Sequence, residues 1–94
     1  MKTPESIEKA EIKKYLDLIG AWHCSPQTWG LGKSGAPDIV ACIKGIFWGI
    51  EVKREGKKPT ELQLNRAVAI RNAWGVATWG TAEKVIQQIE KAIK

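Results

Sequence analysis

The chain has 94 residues, with 15 Lys or Arg against 10 Asp or Glu, a formal net charge of +5. So short a chain supports one compact core, which predicts a single domain over residues 1–94, and the positive balance suits a polyanionic partner. Two cysteines, Cys24 and Cys42, are too few and too far apart for a zinc finger or a CxxC redox pair, and the lack of a long apolar run argues against a signal peptide or membrane span, so a soluble cytoplasmic protein is expected.

The first element is an amphipathic helix over residues 4–19, with Ile7, Ile12, Leu16 and Ile19 toward the core and Gly20 as its stop. A short strand around residues 21–25 and a Gly-rich loop follow. Gly30-x-Gly32-x-x-Gly35 in that loop matches a dinucleotide fingerprint, but Pro37 and a strand follow it where a helix is required. Gly32-Lys33-Ser34 lacks the first glycine of a phosphate-binding loop, since Gln27 stands there. The loop is better read as a mobile segment beside the carboxylates that follow it, with Lys33 able to reach a phosphate.

Residues 38–43 and 46–53 are rich in β-branched and aromatic types and are joined by Lys44-Gly45, which predicts an antiparallel hairpin. Side chains alternate along a strand, so Ile46, Trp48, Ile50 and Val52 share one face while Phe47, Gly49, Glu51 and Lys53 share the other. Pairing around the turn brings Asp38 close to Glu51. Two carboxylates that near repel unless a cation sits between them. Mg²⁺ takes oxygen ligands and keeps several waters, so Asp38 and Glu51, with the carbonyl of Val52 as a further ligand, suffice to hold it. Such a metal serves phosphodiester hydrolysis, with Lys53 orienting the attacking water or stabilising charge on the phosphate oxygens. Pro37 fixes the backbone leading into Asp38.

Beyond the hairpin, Lys53-Arg54-Glu55-Gly56-Lys57-Lys58 is a basic run whose Arg54, Lys57 and Lys58 are candidates for neutralising phosphates. Thr60 is a good N-cap for a helix carrying Leu62, Leu64, Ala67, Val68 and Ile70 and ending near Trp74-Gly75. Residues 76–79 form a fourth strand, and Thr81 opens a last helix through Val85, Ile86, Ile89 and Ile93. Of the five tryptophans, Trp48 belongs to the core face, and for Trp22, Trp29, Trp74 and Trp79 core is the leading assignment, ahead of dimer contact or DNA-stacking surface.

Pro37-Asp38 with Glu51-x-Lys53 resembles the PD-(D/E)XK nuclease signature. The flanking residues are most similar to its VRR-NUC branch, the virus-type replication-repair nucleases: Gly35 precedes the Pro-Asp by two residues, Pro59-Thr60-Glu61-Leu62-Gln63 follows the lysine, and the first helix carries glutamates. The resemblance spans about residues 5–81. It implies an α/β fold with the restriction-endonuclease-like core, order α-β-β-β-α-β-α, a mixed central sheet flanked by helices. It also implies a contact of Gln63 with the active site and a helix-borne glutamate that is either Glu5 or Glu8, with Glu11 a weaker choice. Stand-alone members resemble Holliday junction resolvases, which implies a Mg²⁺-dependent endonuclease, Mn²⁺ substituting, that cleaves four-way or branched DNA as a homodimer in a bacterial or phage-infected cell. The alternatives are a nuclease subunit recruited by a replication or repair helicase and a catalytically silent DNA-binding module.

Overall fold

The computed structural model describes residues 4–26 and 35–94. It comprises α1 (Pro4–Leu18), β1 (Trp22–Cys24), β2 (Ile39–Ile43), β3 (Ile46–Val52), α2 (Glu61–Asn72), β4 (Val76–Gly80) and α3 (Ala82–Ile93). The element order is the expected one. The four strands form one mixed sheet in the order β1-β2-β3-β4, antiparallel across the first two pairings and parallel between β3 and β4. Helix α2 provides the crossover that a parallel pair requires.

The hairpin follows from its turn. Ile43 pairs with Ile46, leaving a two-residue loop in which Lys44 and Gly45 both have positive φ, 50° and 82°. That backbone is the type I′ turn whose twist matches the flanking strands. The register continues through Ala41 opposite Trp48 and Ile39 opposite Ile50, so the next position along places Asp38 across from Glu51.

One face of the sheet packs against α1 and α3. Ile39, Ala41 and Ile43 of β2, with Trp48, Ile50 and Val52 of β3, meet Ile12 and Leu16 of α1 and Val85 and Ile89 of α3 in a single buried cluster. Ile19 packs against its edge. Ile7, assigned to the core from periodicity, is instead 47% exposed, because it lies in the first turns of α1, before the helix reaches the sheet centre. Thr78 Oγ1 donates to Gln88 Oε1, which satisfies the one buried hydroxyl of β4 against α3.

Among the described elements the opposite face carries only α2, and no residue of that helix is fully buried. Leu62, Leu64 and Val68 are about half exposed. Trp22 and Trp74 are corrected from core to surface, at 65% and 92% exposure, and Trp79 is half-buried. Trp22 lies on β1, which α2 does not reach, and Trp74 follows the last turn of α2. Trp29 lies outside the described residues. No helix among the described residues is long and apolar enough to cross a membrane.

Candidate active site

The chemistry-bearing residues collect where β2 begins and β3 ends. Asp38 and Lys53 lie one residue outside their strands as bounded here, so their side chains stand at the edge of the ladder rather than within it. Asp38 is half-buried and its Oδ2 accepts the backbone N–H of Val52 at 2.9 Å. This bond closes the hairpin at its open end. The approach to Asp38 is tight as well: a Cβ built on Gly49 would lie 2.7 Å from Ile70 Cδ1 and 3.0 Å from Pro37 Cγ. Only a bare backbone at 49 lets Pro37 lie on β3 and deliver Asp38.

Glu51 projects onto the α2 face and is only 8% exposed. Burial, then the hydrogen bond to Asp38 and its negative charge, push the Glu51 carboxyl up to about 8. The charge of Lys53 acts in the opposite direction and that of Glu5 adds to the rise. The site is therefore a buried carboxylate that stays protonated near neutral pH unless a cation joins it.

Gln63 holds Glu51 from the helix side. Its Nε2 donates to Glu51 Oε1 at 2.9 Å, while its Oε1 accepts from the backbone N–H of Thr60 at 2.8 Å. In return, Gln63 N donates to Thr60 Oγ1 at 3.2 Å. This is a complete capping box, in which the reciprocal bonds satisfy donors that a helix start leaves open. One side chain thus starts α2 and fixes the buried carboxylate. The sequence signal was the Thr-x-x-Gln spacing, which the N-cap reading of Thr60 left half used.

The two helix glutamates go to different places. Glu8 Oε2 accepts the backbone N–H of Ala82 at 3.2 Å, at the first turn of α3, where Thr81 also caps Lys84 N at 3.3 Å. A carboxylate there complements the helix dipole. Glu5 instead sits close enough for its charge to act on Glu51 and lines a cleft with Pro4, Arg54 and Lys57. Glu11 borders a neighbouring groove with Glu8, Glu55 and Glu83. Lys57 and Lys58 are exposed, and Lys33 lies outside the described residues.

Among the described residues no group of three or more His, Cys, Asp or Glu converges as a metal cage. The donor set of Asp38 and Glu51 fits a hard divalent cation that retains waters, and does not fit structural zinc.

The mixed sheet, the crossover helix and the Asp38, Glu51 and Lys53 cluster at one end of the hairpin define the PD-(D/E)XK type of nuclease core. No family model matches the sequence, and no curated protein does. Among solved structures, one described as a VRR_NUC domain is similar over 95% of this chain and 97% of its own, with a TM-score of 0.80 and 28% identity. That likeness supports a VRR-NUC domain.

Proposed function

We propose that this domain is a Mg²⁺-dependent endodeoxyribonuclease, with Mn²⁺ able to substitute, that hydrolyses phosphodiesters in four-way or branched DNA as a homodimer. The observation that carries this reading is Glu51, a buried carboxylate paired with Asp38 by hydrogen bond and charge and held by Gln63. A side chain so placed is poorly suited to structure alone, since it loses hydration beside a second carboxylate and the charge of Lys53 offsets only part of that cost.

Asp38 and Glu51 would hold the metal, with the Val52 carbonyl beside them. When bound, the cation polarises the scissile phosphate and lowers the pKa of a bound water. Lys53 then has a defined task. Its ammonium lies within range of Glu51, where it orients the attacking water and stabilises negative charge as it develops on the phosphate. Gln63 keeps Glu51 in one orientation through both ends of its amide, and Glu5 takes the part of the helix carboxylate because Glu8 is engaged with α3. Arg54, Lys57 and Lys58 would neutralise phosphates flanking the cut. Two copies related by a two-fold axis are needed to cut both strands of a symmetric substrate, since one chain offers one such site.

The test is purified protein with Mg²⁺ on labelled linear, flap, splayed and four-way DNA, with mass in solution measured in parallel. Symmetric cuts in four-way DNA by a dimer, abolished in Asp38→Ala, are expected. Binding without cleavage on every substrate would refute the enzyme reading, and cutting of flaps alone by a monomer would refute its four-way, dimeric form.

A further inference from the structure

Trp74 has a conformation that tryptophan rarely adopts. It follows α2 with φ 72°, its N–H bonded to Arg71 O at 3.0 Å and the next N–H, that of Gly75, to Ile70 O at 2.9 Å. These are the bonds of a Schellman ending, whose left-handed position normally takes glycine. Here glycine is needed one residue later: a Cβ at Gly75 would lie 2.8 Å from Ile70 Cγ2 and 3.2 Å from Phe47 O. The backbone of Trp74 is consequently held by fixed bonds while the residue is 92% exposed.

It is not isolated. Trp74 borders an apolar groove with Ile46, Phe47, Ile70 and Arg66. Phe47 pairs with Cys42, and Cys42 with Trp22, so Phe47 and Trp22 share a face, about 10 Å apart across two strand spacings. Phe47 is 47% and Trp22 65% exposed. This aromatic row is on the same face as Glu51, four residues away along β3, or roughly 13 Å. A few nucleotides of a single strand span that distance.

We infer that this row is a stacking platform for unpaired bases of the DNA strand whose phosphate occupies the carboxylate site, so that among branched substrates those with a single-stranded stretch a few nucleotides from the cut are held most tightly. The inference rests on the nuclease reading for its link to cleavage. Charge decides the occupant. Between residues 39 and 50 the sole charged residue is Lys44, and between residues 62 and 80 the charged residues are Arg66 and Arg71. A second copy docked isologously on the aromatic end would bring like charges together, because the carboxylates bordering these segments, Asp38, Glu51 and Glu61, lie toward the other end. A nucleic-acid strand has the opposite charge and a π-face on every base, and aromatic rows with flanking cations are how single strands are bound without sequence preference.

The test measures binding in EDTA, where no cutting occurs, of wild type, Trp74→Gly and Phe47→Ala to a labelled short single strand and to a blunt duplex. Trp74→Gly removes the ring while giving the left-handed position its preferred residue, so folding is not at risk. Each variant is expected to weaken single-strand binding on the order of 10-fold and to leave duplex binding unchanged. Unchanged single-strand affinity, equal losses on both DNAs, no binding of single strands by wild type, or a fall from dimer to monomer in the variants would overturn the inference. Failure of the nuclease reading would show separately, as wild type that binds single strands but does not cut with Mg²⁺.

Discussion

The two faces of the sheet are built to different ends. The face under α1 and α3 is closed: Ile12, Leu16, Ile50, Val85 and Ile89 have no exposed surface. The face under α2 is open, with a buried carboxylate at one end, a bare glycine in the middle and exposed aromatics at the other. Alternation along β3 assigns Ile50 to one face and Glu51 to the other, one peptide apart. Stability is concentrated on the closed face, which leaves the open face free to carry polar groups and surface that a core would not tolerate.

The same contrast appears at the ends of α1 and α2. Both finish in the Schellman pattern, with Ala21 N bonded to Leu16 O at 3.0 Å in one and Gly75 N to Ile70 O at 2.9 Å in the other. The left-handed residue is Gly20, φ 75°, on α1 and Trp74, φ 72°, on α2. The first is relaxed. The second carries a backbone cost on the side of the molecule that we assign to DNA.

The largest expected effect lies on the open face. Asp38→Ala or Lys53→Ala should reduce cleavage by about 10²–10³-fold or more while the fold persists, which assays of activity and circular dichroism together will read. On the closed face the pattern reverses. Ile50→Ala should cost about 2–5 kcal/mol of stability in a urea titration, and any loss of cutting should track the unfolded fraction.

Glu51 gives a test in pH. Its folded carboxyl is raised to about 8 from an ordinary 4.5. Below 4.5 the folded and unfolded forms are both protonated; between 4.5 and 8 the folded form keeps a proton that the unfolded chain has released. Stability of the metal-free protein should therefore fall as pH rises across that window, by a few kcal/mol at most, and level off above it. Glu51→Gln should flatten the fall in a series of thermal melts.

Smaller effects follow. Gln63→Leu should lose about 1 kcal/mol from the capping box and lower kcat more than it changes KM, because Glu51 loses its positioning bond; Gln63→Glu, able to rebuild the cap but not to donate to a carboxylate, should recover stability without recovering kcat. The smallest is Trp74→Gly, expected to raise stability by about 1 kcal/mol, whereas Gly20→Ala should lower it by a similar amount.

Much of this was legible in the residues. The hairpin and its register follow from alternation around Lys44-Gly45, and that register is enough to bring Asp38 and Glu51 together. Helix ends at Gly20, Thr60 and Thr81 were readable because capping is local chemistry. Glu5 and Glu8 could not be separated, since they differ by one turn of the same helix and the deciding partner, Ala82 N, arrives from the far end of the chain. Trp22 and Trp74 depart from the core assignment for a related reason. Whether Trp22 or Trp74 is covered depends on how far α2 extends over the sheet, which no local pattern records.

The central claim is that Asp38 and Glu51 form a site completed by a divalent cation. It is tested most directly by titrating Mg²⁺ into the protein at pH 7 in two buffers of different ionisation enthalpy. Binding should release close to one proton from wild type, as the raised Glu51 carboxyl ionises on the metal, and should be lost in Glu51→Gln. Mg²⁺ binding with no proton release, or binding equally strong in Glu51→Gln, would contradict the account.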